Sequence, residues 1–79
     1  MPSRLKELLL EANISHADFA RKAGYSQNTI SKACKGRVAP STMIKITNTY
    51  NDLISSEPNI GPSDIFSNYE EKRKEYLNK

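Results

Sequence analysis

SHADFARKAGYSQNTISKACKG, residues 15–36, is the stretch that decides the fold of this 79-residue chain. It predicts two short helices, because the cap-forming residues Ser15 and Ser26 precede helical patterns and Gly24 stands between them. Ser15 and Asp18 have capping-box spacing, at which the hydroxyl accepts from a backbone amide and the carboxylate reaches back. The segment is therefore predicted to form two helices that meet at a tight turn.

The two sides of these helices differ in chemistry. Apolar residues recur on one side, at Phe19, Ala20, Ala23, Ile30 and either Ala33 or Cys34. The small side chain of Ala20 allows the helices to cross closely, and Gly36 is predicted to end the second helix. The other side of the second helix carries many hydrogen-bond donors and no large apolar group: Gln27, Asn28, Thr29, Ser31, Lys32 and Lys35.

The residues before this segment predict another helix, which begins near Pro2 or Ser3 and ends at about Ala12. Proline is tolerated at the start of a helix because it loses no intrahelical hydrogen bond there. The predicted buried face has the spacing of an amphipathic helix and consists of Leu5, Leu8, Leu9 and Ala12. Leu10 falls outside that face, and Asn13 suits the end of the helix.

The residues after the segment predict two more helices. Pro40–Ser41 marks the start of the longer one, whose apolar side chains are Met43, Ile44, Ile46, Tyr50, Leu53 and Ile54. A loop over Ser55–Pro62 follows, with Ile60 folded back onto the core, and a short helix over Pro62–Phe66 closes the domain. The prediction is an all-α domain of five helices, spanning residues 1–66.

Residues 67–79 form a charged extension, SNYEEKRKEYLNK, for which two interpretations remain open. One is a solvated helical or frayed tail, as is common at chain termini. The other is a helix face that contacts a second copy of the chain or another protein. The residues predicted to make that contact are Phe66, Tyr69, Arg73, Tyr76 and Leu77.

Positive charge is concentrated in the first half of the chain. Residues 1–40 hold seven Lys and Arg against three Asp and Glu, a net charge of +4, whereas residues 41–79 hold five against six, a net charge of −1. The excess therefore lies in the half that contains the polar helix face. This is the distribution expected if that face meets phosphate.

The composition argues against several other classes of protein. No apolar run approaches the roughly 20 residues of a membrane span, and the N-terminus has no signal-peptide pattern, so we expect a soluble, cytoplasmic protein. Cys34, the single cysteine, excludes an intramolecular disulfide and a cysteine-based zinc site. We expect it to be a small apolar residue inside a helix rather than a reactive thiol. The sequence has one histidine, no nucleophile and base at motif spacing and no glycine-rich phosphate loop. We therefore expect that the protein is not an enzyme and that it binds neither a metal ion nor a cofactor.

Ala20, Gly24 and Ile30, at spacings of four and six and followed by a polar helix and Gly36, resemble the phage repressor and Cro-type helix-turn-helix family, often called Xre-like. The likeness covers about residues 3–66. It implies a lambda-repressor-like five-helix fold that binds double-stranded operator DNA. It also implies a transcription regulator that acts as a homodimer or as a pair of copies on its operator.

The resemblance also implies roles for residues of the second helix of the motif. The family's base-reading positions fall on Gln27, Asn28 and Lys32, with Thr29 adjacent. Amides can pair with adenine, lysine can donate to guanine, and a threonine methyl can contact thymine. The competing interpretation is a merely solvent-facing polar surface. Phosphate contacts are expected near the two helix starts and after the second helix, at Ser15, His16, Ser26, Ser31, Lys35 and Arg37.

Two departures from the family pattern stand out. His16 replaces the glutamine that many relatives place at the start of the second helix, and it either donates to phosphate or has no role. Leu9 and Cys34 stand where many relatives pair an arginine with a glutamate, so an apolar contact replaces an ion pair. The expected function is a small Cro-like repressor that occludes a promoter. The alternative is a protein-interaction module, such as a modulator that binds a phage repressor or an antitoxin.

Overall fold

A computed structural model of the chain describes residues 3–54 and 60–77. The described residues form six helices: α1 Leu5–Glu11, α2 His16–Ala23, α3 Gln27–Cys34, α4 Pro40–Ile54, α5 Pro62–Ile65 and α6 Tyr69–Leu77. The predicted all-α helix-turn-helix fold is confirmed, and a sixth helix occupies the region where the sequence left a tail or a helix open. Pro2 and most of the predicted loop after Ile54 lie outside the described residues.

The first three helices end in the same hydrogen-bonded motif. Each is followed by a residue in the left-handed conformation: Asn13, Gly24 and Gly36, with φ angles of 59°, 78° and 72°. The next amide in each case donates to the carbonyl five residues earlier: Ile14 to Leu9, Tyr25 to Ala20 and Arg37 to Lys32, each at 2.9 Å. These are Schellman motifs, so the helix ends predicted at the asparagine and the two glycines are confirmed.

Serine hydroxyls cap the two helices of the turn as predicted. Ser15 accepts from the amide of Asp18 at 3.1 Å, and Ser26 accepts from the amide of Thr29 at 3.2 Å. The carboxylate of Asp18 does not complete the capping box, because it accepts instead from Arg21 at 3.0 Å.

α1 begins later than predicted because the residues before it contact α5. Ser3 forms an isolated antiparallel bridge with Phe66, and the amide of Arg4 donates to the carbonyl of Ile65 at 2.7 Å. The buried hydroxyl of Ser3 accepts from the amide of Leu5 at 3.2 Å, where the helix starts. This pairing joins the start of the domain to its end.

The core draws on the first five helices and on Phe66. Its fully buried large side chains are Leu5, Leu9, Phe19, Ile30, Met43, Ile46, Ile65 and Phe66. The predicted apolar face of α4 is wrong in two places, since Ile44 and Leu53 are 40% and 36% exposed. Thr47 is buried instead, and its hydroxyl donates to the carbonyl of Met43 at 2.8 Å. Ile44 lies about a quarter turn around the helix from the buried Met43, whereas Leu53 lies on the same side as the buried Ile46 but in the last turn of α4.

α6 contacts both α4 and α5, so the charged extension is attached to the domain. Tyr69, in its first turn, is half-buried against the core, as is Ile60, which was predicted to fold back. The amide of Asn51 fixes Ile60 from both sides, donating to its carbonyl at 2.9 Å and accepting from its N–H at 3.2 Å.

Candidate nucleic-acid interface

The outer side of α3 is a continuous polar surface. Its exposed residues are Gln27, Asn28, Ser31, Lys32 and Lys35, whereas Ile30, Ala33 and Cys34 on the other side are buried. The helical repeat thus brings three of the four proposed base-reading residues, Gln27, Asn28 and Lys32, onto one accessible face. Amide and ammonium groups on such a face are the donors and acceptors that suit base edges in a major groove.

Thr29, the fourth proposed base reader, is placed differently. It is half-buried, and its hydroxyl oxygen lies 3.1 Å from that of Ser26, whose oxygen also accepts from the Thr29 amide. One of the two hydroxyls donates to the other, which leaves the second hydrogen for an outside acceptor. Thr29 therefore belongs to the cap of α3 together with Ser26, which is also a proposed phosphate-binding residue.

The starts of α2 and α3 both offer amide groups to an anion. Ser15 and Ser26 are exposed, and each side chain satisfies the amide three residues later. The amides of the first two residues of each helix have no intrahelical partner and carry the positive end of the helix dipole. The first turn of α3 contains no acidic residue, so nothing in it opposes an approaching phosphate.

Exposed cations lie in the last turn of α3 and just after it. Lys32, Lys35 and Arg37 are exposed, and none of them forms an ion pair within residues 3–54 and 60–77. The Schellman motif commonly places an apolar contact between the residue after the left-handed position and the last turn of the helix. At the end of α3 those two positions are Arg37 and Lys32. The motif therefore leaves two cations at the helix end, where phosphates would lie beside a helix in a groove.

His16 contacts the inner side of α3 rather than facing solvent alone. It is half-buried, and its Nε2 atom lies 4.0 Å from the Sγ atom of Cys34. Cys34 is a buried free cysteine; its burial raises the pKa of the thiol, and the nearby Lys6 cation acts in the opposite direction. The thiol is therefore protonated at neutral pH and available as a weak donor or acceptor for the imidazole.

Two contacts near the site were not predicted. Tyr25 is half-buried, and the ammonium of Lys45 in α4 lies 5.2 Å from its ring centroid. The Schellman motif could have indicated this burial, since the residue after the left-handed glycine usually packs inward. The side-chain amide of Asn68 donates to the carbonyl of Gly36 at 3.0 Å. No local pattern predicts a contact between residues so far apart in the chain.

The proposed partner-contact face must be corrected at Phe66. This side chain is fully buried, because Ser3 pairs with its backbone and the ring lies in the core, so it cannot reach a partner. Tyr69 is half-buried against the same core. Tyr76 and Leu77, which are 54% and 71% exposed at the end of α6, remain accessible.

The part of the chain that the structure describes contains neither a metal-binding cluster nor a membrane-spanning helix. No group of three or more His, Cys, Asp or Glu side chains there is arranged to hold a metal ion. No helix in residues 3–54 or 60–77 has the length and apolar character required to span a membrane.

Comparison with known proteins identifies a family. A protein-family model described as helix-turn-helix matches residues 5–53. The match begins with α1, contains α2 and α3 and ends in the last turn of α4, so α5 and α6 lie beyond it. No curated protein and no solved structure matches the chain.

Proposed function

This chain belongs to the Xre/lambda-repressor-like family of DNA-binding helix-turn-helix regulators, and we propose that it is a small Cro-like repressor. It binds an operator in double-stranded DNA and blocks transcription by occluding a promoter. The observation that carries this proposal is the outer face of α3, which is accessible, rich in amide groups and flanked by Lys35 and Arg37, cations that form no ion pair with the described residues. Nothing in the fold of α3 requires that set of side chains.

The proposed contacts divide into two classes. Gln27, Asn28 and Lys32 read base edges in the major groove, which gives sequence preference. The starts of α2 and α3, with Lys35 and Arg37, hold phosphates and set the register of α3 without reading sequence. Affinity for any duplex therefore depends on the second class, and discrimination between duplexes depends on the first.

We also propose that two copies bind one operator. A symmetric pair places the two α3 helices in successive major grooves, with half-sites about one helical turn apart. Tyr76 and Leu77, exposed on α6, are candidates for the contact between copies. Acting on DNA, the protein is proposed to be cytoplasmic.

The proposal is tested by selecting bound duplexes from a random DNA pool and measuring affinity for the recovered motif and for unselected duplex. Gln27→Ala and Asn28→Ala should each weaken binding to the motif by about 1–3 kcal/mol and leave binding to unselected duplex nearly unchanged. Asn48→Ala, a change of the same type at an exposed position of α4, is the matched control. Unchanged discrimination in both variants would show that α3 does not present the reading face.

A second candidate function is a protein-interaction module, such as a phage-repressor modulator or an antitoxin. It is favoured by Tyr76 and Leu77, two exposed apolar side chains on a helix that lies beyond the family match. The two functions differ in their general affinity for DNA, since non-specific binding of DNA regulators typically has a Kd of about 10⁻⁴–10⁻⁶ M. If no random duplex is shifted at about 100 μM protein and low salt, the interaction module is the better account.

A further inference from the structure

The peptide unit between Gly36 and Arg37 is held at both ends. Its N–H group, which belongs to Arg37, donates to the carbonyl of Lys32 at 2.9 Å. Its carbonyl group, which belongs to Gly36, accepts from the side-chain amide of Asn68 at 3.0 Å. One bond comes from within α3 and the other from the segment that leads into α6. The plane of this peptide is therefore set jointly by the motif and by the C-terminal part of the chain.

The hydrogen bond from Asn68 to Gly36, which we call the tether, is additional to the backbone hydrogen bonds that end α3. The ends of α1 and α2 are closed by the same two backbone hydrogen bonds as the end of α3. In the described residues, neither Asn13 nor Gly24 has a side-chain donor on its carbonyl, and Gly24 is exposed where Gly36 is buried. Since two helices end without such a tether, Asn68 is not needed to terminate α3.

The second atom of the Asn68 amide lowers what this residue contributes to stability. Its Oδ1 atom is buried and has no hydrogen-bond partner in the described part of the chain. The amide cannot be turned over, because the oxygen would then face the carbonyl oxygen of Gly36. One hydrogen bond is made while one acceptor is buried with no partner among the described residues, so the two effects on stability offset each other.

We propose that Asn68 is a positioning residue for DNA binding, an inference that rests on the function proposed above. By holding the Gly36–Arg37 peptide, it directs Arg37 toward the phosphates beside α3. The Cα atom of Arg37 belongs to that peptide plane, so rotation of the plane turns the direction in which its side chain leaves the backbone. Arg37 is exposed, and its side chain forms no ion pair with the described residues. Asn68 lies outside the residues matched by the family model, so the residue that positions Arg37 belongs to the C-terminal segment beyond that match.

The test uses the full chain and a fluorescent duplex of random sequence, with affinity measured as a function of salt concentration. Asn68→Ala should weaken binding by about tenfold at roughly 100 mM salt and reduce the salt slope by about one, as expected for one lost phosphate contact. Arg37→Ala should have the same effect. Because both variants remove one contact, the double variant should bind no more weakly than Arg37→Ala alone. If Asn68→Ala does not fold, Asn68→Leu removes the same donor while keeping the volume.

The matched control is Asn51→Ala. Asn51 also joins two distant backbone segments, but both atoms of its amide are bonded, and it contacts Ile60 rather than α3. Asn51→Ala should therefore lower the unfolding midpoint more than Asn68→Ala does and leave the salt slope unchanged. A merely structural role for Asn68 predicts the same pattern for both variants.

The outcomes separate the inference from the function on which it rests. If the unaltered chain fails to bind random duplex at low salt, the proposed function fails and the inference fails with it. If the unaltered chain binds with a steep salt dependence but Asn68→Ala keeps the full slope, or its effect adds to that of Arg37→Ala, only the inference is overturned. Loss of slope in Asn68→Ala with full slope in Asn51→Ala supports both.

Discussion

The Nε2 atom of His16 lies 4.0 Å from the Sγ atom of Cys34, and this contact joins the first turn of α2 to the last turn of α3. Both residues depart from the pattern of the family that the chain resembles. Leu9, which departs with Cys34, is fully buried in the same core cluster. At the two positions where the resemblance implies an ion pair in many relatives, Leu9 is buried in the apolar core and Cys34 contacts an imidazole, so the resemblance implies that these contacts stand in place of an ion pair. Such an exchange avoids the desolvation of two charges.

The Cys34 thiol predicts a dependence of stability on alkaline pH. Burial raises its pKa above the ordinary value of 9.0. A thiol whose pKa is higher in the folded than in the unfolded chain stabilises the fold below the unfolded pKa, and this contribution is lost as pH rises through the folded pKa. Between about pH 8 and pH 10, the free energy of unfolding should therefore fall more in the unaltered chain than in Cys34→Ala. Urea denaturation at both pH values measures this, and equal declines would contradict it.

Lys35 predicts a change in the salt dependence of DNA binding. It is exposed and forms no ion pair within the described residues, so a phosphate contact would release counterions. Lys35→Ala should reduce the slope of log affinity against log salt by about one, measured on random duplex between about 50 and 200 mM salt. Lys74→Ala, the same change on α6, is the control and should keep the full slope. Equal slopes for the two variants would remove Lys35 from the interface.

Replacing Phe66 and replacing Tyr76 should lower stability by different amounts. Phe66 is fully buried, so Phe66→Ala should lower the free energy of unfolding by about 3–5 kcal/mol. If that variant does not fold, Phe66→Leu should cost about 1 kcal/mol. Tyr76 is 54% exposed, and Tyr76→Ala should cost about 1 kcal/mol or less. Chemical denaturation measures each loss, and a similar loss at both sites would contradict the burial of Phe66.

Replacing Gly24 should lower stability through backbone strain alone. Its φ angle is 78°, and a Cβ atom added there would have no heavy atom within 4 Å. Gly24→Ala should therefore lower stability by about 1–2 kcal/mol through left-handed strain, without any clash. At Gly61 the φ angle is −97° and a Cβ atom would make an ordinary 3.7 Å contact, so Gly61→Ala should change stability by about 0.5 kcal/mol or less. Thermal melts of both variants make the comparison, and equal shifts would rule out strain as the cause.

The sequence by itself determined the helices and the surface of α3. Caps at Ser15 and Ser26, left-handed residues at Gly24 and Gly36 and apolar spacing around Ile30 are local, because each depends on residues within about one helical turn or on the conformation of one residue. The helical repeat then puts Gln27, Asn28 and Lys32 on the side opposite the core. That these side chains bind DNA stays a prediction.

Only the tertiary structure decided which apolar side chains are exposed to a partner and which contact holds the end of α3. Phe66 is buried because Ser3, at the other end of the chain, pairs with it, and Asn68 reaches Gly36 from a segment that no local pattern connects to it. Ile44 is exposed because the core covers only one face of α4. Contacts between distant residues depend on how helices pack, and neither helix propensity nor hydrophobic spacing specifies that packing.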